Sequence, residues 1–438
     1  MIVSHRKFIV ILFFVALASG FFWNQKIFGQ PIGGDQILYD SAAQNLQQEA
    51  GIEPLYPLFL AGIYGVFGHN YDAVRVVQII LFALTVVFVY LLVEKIFNKK
   101  IAVWSSLATA LFYGLVNQAG NIATETLFTF LIVFFIYTLY KASFGGENVW
   151  IGIAGIALGL AALTRGIVQF LPIIIVANVF IFHYGKLPIK KISLAAGIFI
   201  AGFLLVLIPW VARNRLTNVG AAIAPRGGEI LLARVELMEN LYAKYPAHFI
   251  GHLFGYYFSQ KIYPDVSSAA FRETPITEQR VGNLLKEGKS YAEIDRILTV
   301  EAKNKIFGAP LKYVLMSVLD FISFNSPIIP RGSLWQNTLT IHTMFAEGRH
   351  PEILAWKKTI IILAIRSIWF IFLFFVIYAL AKNIKNWGKF GWIFLIIIYF
   401  NLVYNAVHAI PRYALPIYPF YIILAIVGLN TFYGKNKK

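Results

Sequence analysis

The chain has 438 residues, of which 58% are hydrophobic, 16% aromatic and only 13% charged. A soluble globular protein carries about 45–50% apolar and about 25% charged residues, so this composition excludes that class and indicates a helical integral membrane protein. Cysteine is absent, which excludes a disulfide framework and thiolate metal sites. The formal charge of +17 sits in short Lys/Arg segments between apolar runs, as membrane topology requires. No basic stripe with interleaved aromatics is present, so nucleic acid is not an expected partner.

A spanning helix takes about 20 mostly apolar residues. The N-terminus, MIVSHRKFIVILFFVALASGFFW, has the basic start, apolar run and small residues (Ala18, Ser19, Gly20) of a signal peptide. The apolar run continues to Trp23 and further spans follow, so Phe8–Trp23 is read as a retained first span. Gly33–Leu46, GGDQILYDSAAQNL, comes next, with a helix-like run of Tyr39, Ala42, Ala43 and Leu46 behind Asp35. Asp40 reads as a solvated helix residue. Pro54–Phe67 is apolar, but at about 14 residues it suits an interfacial helix better than a span.

The second span is Val74–Val93, opening at Arg75. Ile101–Val116 and Thr126–Tyr140 form a pair, and Trp150–Leu163 and Ile167–Phe182 form another, hinged at Thr164-Arg165-Gly166. Ile192–Val211 follows, and Ile360–Ala381, Trp392–Val407 and Tyr413–Leu429 close the chain. The total is about ten spans. With that count, every basic segment (His5–Lys7, Glu94–Lys100, Lys141, Lys186–Lys191, Lys382–Lys389 and Lys435–Lys438) falls on one side. Positive charge marks the cytoplasm. Both termini are then expected inside and Asp35 outside.

Arg213–Trp356 is the long hydrophilic connection. Ser290–Glu293 reads as a capping box, Ile294, Ile297, Leu298 and Ile306 continue one apolar face, and Gly308 is a stop. Thr274-Pro275 starts a shorter helix that ends near Gly288. Leu311–Phe324 is expected at the interface. Three regions are therefore expected. Residues 1–211 form an N-terminal transmembrane module with its first outer loop at 24–72, residues 212–356 an extracytoplasmic helical subdomain, and residues 357–438 the C-terminal helices.

Read from the residues alone, Asp35 is either a turn or helix-start acid or a carboxylate base at the water–lipid boundary. Glu125, at the outer start of an apolar helix, is either an interfacial acid favoured by the helix dipole or a site residue. Arg75, Arg165, Arg213 and Arg412 lie at outer ends, where cations are less expected, and suit phosphate or headgroups. His248 and His252 share a helix face, which permits a metal pair, although such a pair is usually structural. No metal site is assigned, and a divalent metal is left open. Gly227-Gly228 after Arg226 allows a close approach to phosphate.

Gly34-Asp35, Tyr39, Ala43, Leu46 and Pro54–Leu58 resemble the first outer loop of the C-type membrane glycosyltransferases. The resemblance is to bacterial relatives of the protein O-mannosyltransferases, glycosyltransferase family 39. Ala73–Gln78, Thr124–Phe128, Gly159–Arg165, Pro209–Asn214 and Arg412–Pro419 match further stretches in order. The resemblance implies a C-type fold with interfacial helices in a cell inner membrane. It also implies inverting transfer of one hexosyl or pentosyl unit from a polyprenyl-phosphate donor. The acceptor would be a hydroxyl of a glycan, lipid or protein outside the cytoplasm.

In that resemblance Asp35 is the base and Glu125 an orienting or auxiliary acid. Arg412, with Arg75, Arg165 and Arg213, meets the donor phosphate, and Tyr39, Tyr56 and Tyr413 line the substrate cavity. Relatives often carry Asp followed by Glu, whereas here Gln36 follows Asp35, and Ile52 stands where some carry a phosphate-binding Lys. The alternatives are a transporter or flippase of a lipid-linked sugar, and a non-catalytic envelope-assembly protein. The first needs polar residues at mid-membrane depth, of which Gln78, Gln169 and Asn178 are the few candidates.

Overall fold

The structure, a computed structural model, describes residues 5–45, 51–142, 148–217, 219–266, 275–327 and 351–435. Leu46, Thr274, Lys437 and Lys438, which fall in the motifs and segments above, lie outside them. Helices and no strands occur among the described residues. This is what a lipid-exposed backbone requires, since a helix satisfies its own N–H and C=O groups.

Among the described residues, seven helical segments are long and apolar enough to cross a membrane: His5–Asn24, Tyr71–Ile96, Gly166–His183, Ile189–Leu216, Thr359–Asn383, Trp387–Val407 and Pro411–Tyr433. The protein is a multi-pass membrane protein. The expected total of about ten is not reached by length alone. Within Ile101–Val116 the helix stops after 13 residues, because Phe112 turns extended (φ −70°, ψ 109°). Two further expected spans are helices of 17 residues, at the short end of the ~17–25-residue range.

The chain forms two units. The first comprises residues 1–225, 375–400 and 415–438. It begins with α1 (His5–Asn24), α2 (Asp35–Gln44), α3 (Leu55–Phe67) and α4 (Tyr71–Ile96). Then come α5 (Lys99–Leu111), α6 (Tyr113–Gln118), α7 (Glu125–Lys141), α8 (Asn148–Thr164), α9 (Leu171–His183) and α10 (Ile189–Leu216). Helix α4 is central, packing on α1, α5 and α7, while α7 packs on α8 and α8 on α10. Asn70 starts α4 by accepting from the Asp72 and Ala73 N–H groups at 2.9 and 3.1 Å, a cap worth about 1 kcal/mol. Helices α8 and α10 meet backbone to backbone. A Cβ at Gly155 would lie 2.1 Å from the Phe199 carbonyl, and one at Gly202 2.5 Å from the Gly152 carbonyl. Lipid gives apolar side chains no hydrophobic reason to associate, so such close backbone packing carries the contact.

The second unit comprises residues 226–374 and 401–414. It contains α11 (Gly227–Tyr242), α12 (Tyr245–Phe254), α13 (Tyr256–Ile262), α14 (Pro275–Lys286), α15 (Tyr291–Gly308) and α16 (Pro310–Phe324), followed by the start of α17 (Pro351–Asn383). The expected capping box is present, with Ser290 and Glu293 satisfying each other's backbone N–H, and α15 ends at Gly308. Ile294 and Leu298 join Leu232, Val235, Met238 and Leu284 in a buried core. Helix α16 turns 103° from α15, so the pair reads as a broken span or a re-entrant element. Its Asp320 pairs with buried Arg234 at 3.0 Å. Helices α18 (Trp387–Val407) and α19 (Tyr418–Lys435) complete the chain.

Candidate functional site

The site is built on the loops of the first unit. Between α1 and α2 the chain is tied down by Asp72 and Arg75 at the start of α4. The Gly29 N–H donates to both Asp72 carboxylate oxygens at 3.1 and 3.0 Å. Arg75 pairs with Asp72 at 2.6 Å and donates to the Gln30 carbonyl at 2.8 Å. Its side chain is 1% exposed, and Asp72 neutralises its charge. Arg75 thus acts on the chain itself by fixing the segment that leads to Asp35.

Asp40 departs from expectation. It is buried, not solvated, because three elements converge on its carboxylate. Tyr64 of α3 donates at 2.7 Å, Tyr71 of α4 at 3.2 Å and Gln44 at 2.9 Å, and the His69 ring meets it at 2.8 Å. Burial pushes the carboxyl up, but the bonds from His69, Tyr64 and Tyr71 together outweigh it and hold the group below its ordinary range. A helical pattern places Asp40 on α2 but cannot show which later residues return to it.

Asp35 opens α2 and is exposed. The next residue, Gln36, accepts the Ile122 N–H at 3.2 Å and donates to the Gly33 carbonyl at 3.3 Å. The first turn of α2 is thereby joined to the loop that leads into α7 and Glu125.

Glu125 is 1% exposed. Its carboxylate is held on both sides, by Arg165 at 2.7 Å and by the Gln118 amide at 3.2 Å. Arg165 Nε also donates to the Thr124 hydroxyl at 2.8 Å, and Tyr39 shares a side-chain hydrogen bond with Thr124. Burial pushes the Tyr39 phenol up to about 12; Arg165 opposes this, while Glu125 and Glu53 add to it. Glu53 itself accepts the Gly166 N–H at 2.9 Å, fixing the turn after Arg165. Tyr39 meets Tyr56 edge-on, with ring centroids 5.1 Å apart. Tyr56 is fully buried and donates to Gln78 at 2.8 Å, and Gln78 donates to the Ala119 and Asn121 carbonyls. A cavity of about 10 Å³ beside Glu125, lined also by Gln118, Thr126 and Thr129, is of a size for one water molecule.

The structure therefore brings Tyr39, Tyr56, Glu125 and Arg165 together and ties the Asp35 turn to them through Gln36. The parts played by Gln36, Glu53, Gln118 and Thr124 were not read from the sequence. For Glu53 the available signal was a lone carboxylate before Pro54 in an apolar stretch. Gln36 occupied the motif itself.

Other expected residues lie elsewhere. Arg213 lies 4.7 Å from the Trp210 ring centroid and donates to Asn214 at 3.1 Å. In the second unit, Arg412 lies against the Tyr413 ring, which packs on Tyr404 and His408. His248 hydrogen-bonds Tyr256 at 3.0 Å. No cluster of three or more His, Asp or Glu suited to a metal occurs among the described residues. Gly228 does approach a neighbour closely, but the neighbour is α15. Its N–H donates to Asp295 at 2.7 Å, and an added Cβ would lie 2.3 Å from the Asp295 carbonyl.

Residues 51–212 match the family model described as dolichyl-phosphate-mannose-protein mannosyltransferase. The family resemblance read from the sequence holds over that segment. It contains Tyr56, Arg75, Glu125 and Arg165, while Asp35 and Tyr39 precede it and Arg213, Arg412 and Tyr413 follow it. The fold is similar to that of the archaeal oligosaccharyltransferase AglB from Archaeoglobus fulgidus. The AglB complex with an inhibitory peptide and a dolichol-phosphate has a TM-score of 0.54 and 14% identity, over 98% of this chain and 51% of that one. The form tethered with an acceptor peptide gives 0.53 and 13%, over 98% and 50%. ArnT from Cupriavidus metallidurans bound to undecaprenyl phosphate matches at 0.42 and 13%, over 98% and 78%. The chain spans about half the length of the AglB structures it matches. No curated protein matches it.

Proposed function

We propose that the chain is a membrane glycosyltransferase that moves a monosaccharide from a polyprenyl-phosphate donor to an acceptor hydroxyl outside the cytoplasm. The observation that carries this reading is the bond from Ile122 N–H to Gln36. It fastens the exposed Asp35 turn to the segment bearing Glu125, and that segment lies within residues 51–212, which match a mannosyltransferase family model. The Lys/Arg-rich loops support placing Asp35 on the outer face of a plasma membrane with both termini in the cytoplasm.

A sugar on a lipid phosphate already carries its leaving group. What the protein must add is a base for the acceptor and cations for the departing phosphate. Asp35 takes the acceptor proton as its oxygen bonds to the anomeric carbon. The carbon–oxygen bond to phosphate breaks, polyprenyl phosphate leaves with the electron pair, and the anomeric configuration inverts. A positioned base of this kind is worth about 10²–10⁴-fold. Glu125, paired with Arg165, orients the acceptor, and Tyr39 and Tyr56 border it. Arg213 is the proposed phosphate contact, suited by the bidentate geometry of guanidinium.

The test supplies membranes containing the protein with radiolabelled polyprenyl-phosphate monosaccharides. Label passing to an envelope glycan, lipid or protein, with release of polyprenyl phosphate, is the expected result. Donor that stays intact across a panel of sugars, or is only moved between leaflets, removes the reading.

A further inference from the structure

Arg366 lies in α17, within the candidate span Thr359–Asn383. One of its three guanidinium nitrogens, Nη1, donates to the His252 and Leu253 carbonyls, the latter at 2.8 Å. These carbonyls belong to the last turn of α12, so the cation helps close that helix. The rest of the guanidinium is not used in this way. Nε is buried with no hydrogen-bond partner, and no carboxylate pairs with Arg366 among the described residues. A cation within an apolar span ordinarily has a counter-charge or a task.

Beside it lies a cavity of about 150 Å³, bounded by Arg366, Asn325, Ser326, Trp369, Phe370 and Leu373. That is about five times the ~30 Å³ share of one water molecule, enough for a phosphate group and the first atoms of its ester. Asn325 and Ser326, just beyond the end of α16, give the cavity a polar edge beside Arg366, and the rest of its lining, with Phe321, Ile322, Trp369, Phe370 and Leu373, is apolar. Along α17 from this cavity, Phe370, Ile371 and Phe374 are exposed, a surface suited to hydrocarbon. The combination of an under-satisfied cation, a cavity of headgroup size and an adjoining greasy face selects an anionic amphiphile.

We propose that this cavity binds the phosphate of a membrane lipid, with Arg366 as its cation and the lipid tail along the exposed face of α17. Charge-assisted bonds from guanidinium to phosphate are the strong kind, and the apolar wall favours a lipid-borne phosphate over a free one. The site stands on the second unit alone and does not depend on glycosyl transfer.

The experiment is native mass spectrometry of the full chain in detergent, titrated separately with phosphatidylglycerol, undecaprenyl phosphate and uncharged diacylglycerol. A one-to-one adduct with phosphatidylglycerol is expected, at least tenfold tighter than with diacylglycerol. Because Arg366 also closes α12, Arg366→Met can lose that helix. Leu373→Trp fills the cavity and leaves the guanidinium in place. Each variant is expected to weaken the adduct tenfold or more. Binding of phosphatidylglycerol that the variants weaken supports the site; an adduct with undecaprenyl phosphate alone is binding of the transfer reaction's own carrier and overturns it. No preference over diacylglycerol, or full binding by both variants, overturns it.

Discussion

Glu125 and Arg165 form an ion pair at 2.7 Å with side chains 2% and 12% exposed. Desolvating both groups costs several kcal/mol, so the pair is retained only where its geometry is well satisfied. Here Gln118 and Thr124 supply further hydrogen bonds. Removing one partner leaves an uncompensated buried charge, at a cost of about 3–5 kcal/mol. Glu125→Ala and Arg165→Met are each expected to lower the melting temperature in detergent. The double variant should recover part of that loss while transfer stays abolished. Equal melting temperatures for parent and single variants would mean that the pair does not form.

Gln36 uses its carbonyl oxygen to hold the Ile122 N–H. Gln36→Glu keeps that acceptor, whereas Gln36→Leu loses it and leaves a backbone N–H to be satisfied elsewhere, at about 1–3 kcal/mol. Transfer by the Glu variant should stay within a few-fold of the parent. The Leu variant should lose at least tenfold in kcat. Equal activity of both variants would show that the link does not position Asp35.

The Asp40 carboxylate has a depressed titration, so its contribution to stability is complete above the ordinary carboxylate range near pH 4. It disappears as pH falls through the lower native value, because protonation removes the charge that His69, Tyr64 and Tyr71 hold. Thermal unfolding in detergent should therefore weaken on acidification. Asp40→Asn should already be destabilised at neutral pH, by about 1.5–3 kcal/mol for a hydrogen-bonded charged group. Its acid dependence should be shallower than the parent's. An identical acid profile for both would remove Asp40 as the titrating group.

The contact between α8 and α10 leaves no room at Gly155. Overpacking a filled interior costs about 1–3 kcal/mol, and more where backbone must move. Gly155→Leu should reduce the folded fraction recovered from membranes several-fold, whereas Gly197→Leu, with open space around it, should not. Equal recovery of the two would contradict the helix pairing.

The spanning helices were legible because a long, nearly uncharged apolar run has the length and solubility of a bilayer span. The capping box at Ser290 was legible because its chemistry is local. The break at Phe112 was not, since nothing in an apolar run marks where a helix turns extended. Glu125 and Arg165 were both singled out, but as an acid and a phosphate ligand rather than as each other's partner. They are 40 residues apart, and a pairing at that separation follows from how α7 and α8 pack. Asp40 was misread for the same reason, since its donors come from α3, α4 and the turn between them. Arg234 and Asp320 likewise meet only through the packing of the second unit.

The central claim is that Asp35 is the base. Asp35→Asn preserves size and helix start while removing the proton acceptor, so it should fold, melt and bind donor like the parent. Transfer of labelled sugar from polyprenyl phosphate, measured in membranes, should fall by about 10²-fold or more. Near-parental transfer by Asp35→Asn would contradict the account.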